Sequence, residues 1–231
     1  MDVGLFIAAS GMVAEQTRQD QLSNDLANAS TPGYKSDESP QRSFGEVLLA
    51  NTQGGATIGS TDEGVSLGKT YTDLTPASIQ ETGEPLDFAI QGKGFFAVKT
   101  AQGTRYSRNG QFTESASGIL TDQSGNPVLS QSGAQIKVPA GGSLPASAVG
   151  IFELSSAEKQ GENLYAGSSS GRGTGALRQG ALEASGVDAA KVMIEMIDSL
   201  RTFQSGQQAV QAIGQTLQEA STQVGTLGAG A

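Results

Sequence analysis

Both ends of the chain run for many helical turns without proline and carry apolar residues at a 3.5-residue repeat. Near the N-terminus, Leu5, Ala8, Met12, Leu22, Leu26 and Ala29 occupy the a and d positions of one heptad frame. Near the C-terminus, Met193, Met196, Leu200, Phe203, Val210 and Leu217 do the same. That period makes a narrow seam that faces another helix, not a broad stripe that covers a core. The spacing therefore predicts two terminal helices that pair as an α-helical coiled coil and also meet neighbouring copies. Assembly is indicated before chemistry.

The seams carry flaws. Glu15 and Gln19 interrupt the first, and Gln207, Gly214 and Ser221 the second. Polar or very small residues at such positions weaken a coiled coil while restricting its register and partner. Ala8, Ala9, Ser10 and Gly11 form a turn almost without bulk, open to close approach by another backbone. Helices of this kind are marginal in water without packing on their apolar face. The ends are expected to be partly unfolded in a free monomer and to order on assembly.

Between the ends the periodicity changes to two from about Val65. Strands are expected at 66–72, 87–90, 95–99, 104–107, 111–114, 119–121, 128–130, 136–138 and 149–154. Turn residues separate them, including Gln91-Gly92-Lys93-Gly94 and Gln123-Ser124-Gly125-Asn126-Pro127. The Asn109-Gly110 pair, set between alternating residues, is the strongest short hairpin signal. Short strands at this spacing suggest a barrel or sandwich. The fold class is thus α+β, with terminal heptad helices and a β-rich middle. Four segments follow: a first helix in 1–33, an extended stretch with a mobile loop in 34–64, a β-rich domain with a polar connector in 65–180, and a second helix with its tail in 181–231. Within these, 44–49 reads as a short amphipathic piece, 53–60 as an exposed loop and 155–180 as the connector. The first helix should stop near Asn28, before Ser30-Thr31-Pro32-Gly33. Ser185-Gly186-Val187-Asp188 resembles a capping box that opens the second.

Composition removes whole classes of function. A net charge of -9 and a pI near 4.5 argue against nucleic acid and anionic membrane surfaces, which call for clustered Lys and Arg. With no Cys and no His, thiol nucleophiles, disulfides, imidazole or thiolate metal sites and His-based acid–base catalysis are excluded. No cofactor is expected. No apolar run is long enough to span a bilayer. Met1 to Val13 is apolar, but Asp2 stands where a signal peptide is basic, so the stretch reads as helix and not as a Sec signal.

Specific strings then point to a family. Leu22-Ser23-Asn24-Asp25-Leu26-Ala27-Asn28-Ala29-Ser30-Thr31-Pro32-Gly33-Tyr34-Lys35 resembles the N-terminal signature of the flagellar axial proteins, the rod and hook subunits. Glu84 to Val98 is similar to the first strand pair of their middle domain, and Tyr106 to Phe112 to the hairpin after it. Gly180 to Asp188 resembles the opening of their C-terminal helix, with Gly186 in place of an expected Asn. By length the chain resembles the rod subunits more than the hook protein, and the stretch from Leu74 to Leu86 leans toward the proximal-rod type, with the distal-rod type close behind. The resemblance implies a subunit of the basal-body rod whose terminal helices line a hollow helical tube around the export channel. It also implies other rod and hook subunits as partners and export through the flagellar type III apparatus.

Individual residues carry this reading unequally. Asn24 and Asn28, one turn apart, read as an amide ladder between subunits, an assignment that rests on the resemblance. Pro32, Gly33 and Tyr34 redirect the chain from helix to outer domain, with Tyr34 as an anchor, although plain helix termination accounts for the first two. Phe95 and Phe96 should point to opposite faces of one strand, the first into a core and the second with an interface as an option. The carboxylates Asp62, Glu63, Glu81, Glu84 and Asp87 read as solvated loop charge and not as a glycosidase pair, because nothing fixes their spacing. Gly92-Lys93-Gly94 and Gly171-Arg172-Gly173 are too short for a phosphate loop. A structural rod subunit is the leading function; a secreted β-rich adhesin or carbohydrate-binding module is the alternative, and a carboxylate hydrolase a distant third.

Overall fold

The computed structural model describes residues 2–43, 46–50, 57–62, 64–161 and 163–227. They form two compact units, each assembled from segments remote in sequence. One comprises the chain up to Leu26, Asp37–Tyr71 and everything from Ala190; the other comprises Ala27–Ser36 and Thr72–Ala189.

The first unit is built on the two long helices, α1 (Asp2–Ala27) and α2 (Ala189–Leu227). Ser199 Oγ donates to Glu15 Oε2 at 2.6 Å, and a Cβ at Gly206 would stand 2.9 Å from Met12 Cγ. A Cβ at Gly4 would meet Ile213 Cδ1 at 3.7 Å. Residue number rises along one helix as it falls along the other, so the two run antiparallel. Burial along α2 follows Val192, Met196, Ser199, Phe203, Gly206, Val210, Ile213 and Leu217. Met196, Phe203, Val210 and Leu217 from the expected frame lie on that line, whereas Met193 and Leu200 are 48% and 46% exposed. The inward edge falls one residue earlier than expected because Met12 and Glu15 require a gap and a hydroxyl opposite them. Gly206 and Ser199 supply these; Gln207 and Leu200 would not.

Short strands complete this unit: β1 (Asp37–Glu38), β2 (Gln41–Ser43), β3 (Glu46–Ala50), β4 (Thr57–Asp62), β5 (Val65–Leu67) and β6 (Tyr71–Thr72). β2 pairs with β5 and β3 with β4, both antiparallel. The amphipathic piece at 44–49 and the end of the loop at 53–60 are therefore largely strand, since β-branched Thr57, Ile58 and Thr61 favour an extended chain despite their polar neighbours. Residues 44–45 and 51–56 lie outside the described residues. The strand expected at 66–72 is broken at Gly68, whose N–H is drawn to the Pro40 carbonyl at 2.8 Å.

The second unit holds β7 (Ile79–Glu81), β8 (Phe88–Gln91), β9 (Phe96–Thr100), β10 (Gly103–Ser107), β11 (Thr113–Glu114), β12 (Leu120–Thr121), β13 (Phe152–Leu154), β14 (Glu158–Lys159), β15 (Leu164–Ala166), β16 (Ser169–Arg172), β17 (Ala176–Gln179) and β18 (Ala181–Glu183). Its largest sheet is antiparallel in the order β14-β15-β10-β9, flanked by two-stranded ladders. Side-chain alternation gives this sheet a core on each face. Phe96 and Val98 join Phe88, Ile90, Phe112 and Leu120 on one side; Phe95 and Ala97 join Tyr106, Leu129 and Tyr165 on the other. Both adjacent rings are thus buried, and neither is left for an interface. Phe96 stands edge-on to Phe112 at 5.1 Å between centroids, a favoured aromatic geometry.

Three expectations fail here. Asn109-Gly110 does not close a hairpin: β10 pairs with β9 through the turn at Ala101 and Gln102, and with β15. Gly110 is needed for close approach, because a Cβ there would lie 1.7 Å from the Phe88 carbonyl oxygen. The polar stretch 155–180 is not a featureless connector but contributes β14 to β17, with β17 paired to β8 and β16 to β13. Residues 128–130 and 136–138 form only single bridges, including Val128 to Val98 and Lys137 to Ile119.

Candidate functional site

The segment between the first helix and the β-rich middle is fixed by a buried ionic cluster. Lys35 Nζ donates to Glu183 Oε1 at 2.6 Å and to the Thr75 carbonyl at 2.6 Å. The Ala77 N–H reaches the same carboxylate oxygen at 2.9 Å, and Arg108 Nη1 donates to Oε2 at 3.2 Å. Arg108 Nη2 also donates to the Gly92 carbonyl at 2.8 Å, and its guanidinium lies 5.3 Å from the Phe95 ring centroid. Lys35, Arg108 and Glu183 are at most 3% exposed. One carboxylate thus serves two cations, and Lys35 and Arg108 each also reach a backbone carbonyl, while the buried Arg108 Nε has no hydrogen-bond partner among the described residues.

The three members come from far apart in sequence. Lys35 ends the Pro32-Gly33-Tyr34-Lys35 exit, Arg108 follows β10, and Glu183 ends β18 just before α2. Gly33 binds the exit to Glu183 a second time, its N–H donating to the Glu183 carbonyl at 2.8 Å. It has φ +66, and a Cβ there would lie 2.4 Å from the Arg108 carbonyl group. Two independent demands, a left-handed backbone and contact with another chain segment, both select glycine.

Tyr34 is buried, and Lys159 Nζ lies 4.0 Å from its ring centroid while donating to the Lys35 carbonyl at 2.8 Å. Asn163, at φ +63, donates from Nδ2 to the Pro32 carbonyl at 3.1 Å. The Gly186 N–H bonds to the Tyr34 carbonyl at 2.8 Å. A Cβ at 186 would crowd that oxygen at 3.3 Å, so Gly186 allows two exits to run side by side. Ser185 Oγ donates to the Asn28 carbonyl at 3.0 Å and accepts from the Val187 N–H. The Ser185 hydroxyl is therefore held by Asn28, in the turn that follows α1; α2 starts at Ala189, directly after Asp188. Thr75 is held by Asp73, whose carboxyl is pulled below its ordinary value of 3.8 by the Thr75 N–H and hydroxyl, with a smaller contribution from the Lys35 charge.

The residues expected at a helical seam are divided. Leu22 is buried; Met12, Leu26, Met196, Phe203, Val210 and Leu217 are half-buried; Leu5, Met193 and Leu200 are exposed. Val3, Phe6, Val13, Ile194 and Ile197 are exposed as well, so both helices present large apolar side chains outward. Asn24 is exposed, while Asn28 Oδ1 accepts from the Thr31 hydroxyl at 3.2 Å across the end of α1. The strings holding Lys35, Arg108 and Glu183 stand out in the sequence, but nothing in them joins the three residues. The available signal was faint: Glu183 follows Ala181 and Leu182 in an apolar stretch, and Lys35 and Arg108 stand within two residues of Tyr34 and Tyr106.

Among the described residues, no helix is long and apolar enough to cross a membrane, and no group of acidic residues is arranged to hold a metal ion. Three family descriptions match in chain order: a flagella basal body rod protein domain over residues 5–35, a flagellar hook protein FlgE/F/G D1 domain over 89–155, and a flagellar basal body rod FlgEFG protein C-terminal domain over 178–223. The flagellar basal-body rod protein FlgG of Bacillus subtilis is 32% identical, the match covering 93% of this chain and 96% of that protein. The flagellar hook-basal body complex protein FlhO of the same organism is 29% identical over 97% and 99%. FlgF of Caulobacter vibrioides is 29% identical over 89% and 91%. These descriptions give the adhesin reading no support.

Proposed function

The chain belongs to the flagellar basal-body rod protein family, and on that premise we propose that it is a non-enzymatic structural subunit that polymerises through α1 and α2 into the hollow rod. The helices pair as an antiparallel coiled coil that forms the inner layers of the tube around the export channel. The tube transmits motor torque. Other rod and hook subunits are its partners, and it reaches the rod through the flagellar type III apparatus without a cleaved Sec signal. Asn24 belongs to the subunit contact in this reading.

The observation that carries the proposal is the outward apolar face of α2, formed by Met193, Ile194, Ile197 and Leu200. Residues spaced this way cover one side of a helix, and a monomer gains nothing by leaving such a row in water. Leu200→Glu places a charge where a neighbouring subunit would exclude water, at a cost of several kcal/mol for an unpaired carboxylate, on the order of 3–5. Incorporation into basal bodies should be lost, while exposed Asp198→Ala should incorporate normally. Motility and basal-body content, at matched export, measure both. Normal incorporation of Leu200→Glu would overturn the assignment of this face.

A further inference from the structure

The carboxyl group of Glu15 sits where an apolar seam residue belongs, buried in the contact between α1 and α2. It receives two neutral donors, the Ser199 hydroxyl at 2.6 Å and the Gln41 side-chain amide at 3.0 Å. One turn away, Met12 lies over Gly206, whose missing Cβ leaves the room it occupies. From this arrangement we infer that Glu15 is a positioning residue: with Met12, it fixes the register in which the two helices pair.

The physical reason is the penalty for any slide. The inward positions on one edge of α2 are Val192, Ser199, Gly206 and Ile213, spaced by one heptad. A slide of one heptad in one direction sets Glu15 against Val192 and Met12 against Ser199. In the other direction Glu15 faces Gly206 and Met12 meets the branched Ile213. Both slides deprive the buried carboxyl of the Ser199 hydroxyl, and the second also overfills the site of Met12. The other edge of α2, Met196, Phe203, Val210 and Leu217, is apolar throughout and discriminates weakly between registers. A single polar residue in a seam selects register at a cost in stability. This inference concerns pairing within one subunit and does not depend on what that subunit builds.

The chain has no cysteine, so introduced pairs report pairing without interference. In the full-length protein, Gly4→Cys with Ile213→Cys traps the observed register under mild oxidation, and Gly11→Cys with Ile213→Cys traps a one-heptad slide; with Ile213 replaced in both pairs, the comparison reads the Glu15–Ser199 part of the penalty. The first pair should cross-link at least tenfold faster than the second. Adding Glu15→Leu should reduce that preference to about threefold or less, as should Ser199→Ala, which removes the donor from the opposite side. Glu15→Gln, whose amide oxygen can accept from Gln41 while its amide N–H donates to the Ser199 hydroxyl, should retain it. The helical circular dichroism signal and its melting midpoint should be equal or higher in Glu15→Leu, separating register from stability. The inference is overturned by equal cross-linking of both pairs in the otherwise unaltered chain, by full preference in Glu15→Leu, or by loss of preference in Glu15→Gln.

Discussion

The two units treat side chains in opposite ways. In the β unit, Phe96, Val98, Leu120 and Val128 are wholly buried, and even its innermost charges, Lys35, Arg108 and Glu183, have partners. In the helical unit Val13, Ile194 and Ile197 remain more than half exposed, and the contact between helices contains a glutamate, a serine and a glycine. The first pattern belongs to a fold that satisfies itself. The second belongs to a surface completed by something else, because exposed rows of large apolar residues mark interaction sites. On the proposed function, stability and assembly fall to different parts of one chain.

The largest effect expected from this division is on assembly alone. A fragment joining residues 27–36 by a short linker to residues 72–189, the β unit alone, should remain folded by circular dichroism and resist proteolysis, yet never enter a basal body. The cut belongs at 27 and not at 34, because Asn28, Pro32, Gly33 and Tyr34 bond within the β unit. An unfolded fragment would mean that the β unit is not self-sufficient.

Next in size is the ionic cluster. Glu183→Ala leaves Lys35 and Arg108 buried without their anion, a change that typically destabilises by about 3–5 kcal/mol. Denaturant unfolding of the β unit measures it. A loss below about 1 kcal/mol would show that water reaches the cluster and that the contrast with the helical unit is overstated. Gly33→Ala should cost somewhat less, about 1–3 kcal/mol from the left-handed backbone, plus the displacement of Arg108. Tyr34 should then become accessible to quenchers, whereas Gly11→Ala, at an open helical position, should be neutral or slightly stabilising.

The smallest effect concerns pH. Asp73 is held below 3.8 in the folded chain, so folding disfavours its protonation. Its contribution to stability is complete above 3.8 and is lost as pH falls through the lower, folded value. Asp73→Asn preserves an acceptor for Thr75 and should flatten that acid limb, with little change at neutral pH. An unchanged acid limb would show that other carboxylates set it.

Much of the architecture was legible because it depends on local pattern. Absence of proline and a 3.5-residue repeat predicted both helices, and a period of two predicted β8, β9, β10 and the opposite burial of Phe95 and Phe96. Errors came where distant segments decide. Along α2, Met193 and Leu200 look better suited to the inside than Val192 and Ser199, and only Met12 and Glu15 on the facing helix reverse that choice. Asn109-Gly110 has hairpin composition, but Phe88 occupies the place where a side chain at 110 would go. The strands between 155 and 180 are two to four residues long and mix polar with apolar residues, so their partners reveal them more than any pattern does.

The sequence by itself determined the periodicities, the termination at Pro32 and Gly33, and the exclusion of thiol and imidazole chemistry, since each follows from the residues within a few turns or from composition alone. Tertiary structure decided which charges are buried, which edge of α2 faces inward and why Gly33 and Gly110 lack side chains. Those outcomes depend on atoms many residues away: Lys35 and Glu183 are separated by 148 positions and meet at 2.6 Å. No local pattern encodes such a meeting, because the pairing becomes favourable only when the rest of the β unit has removed both groups from water.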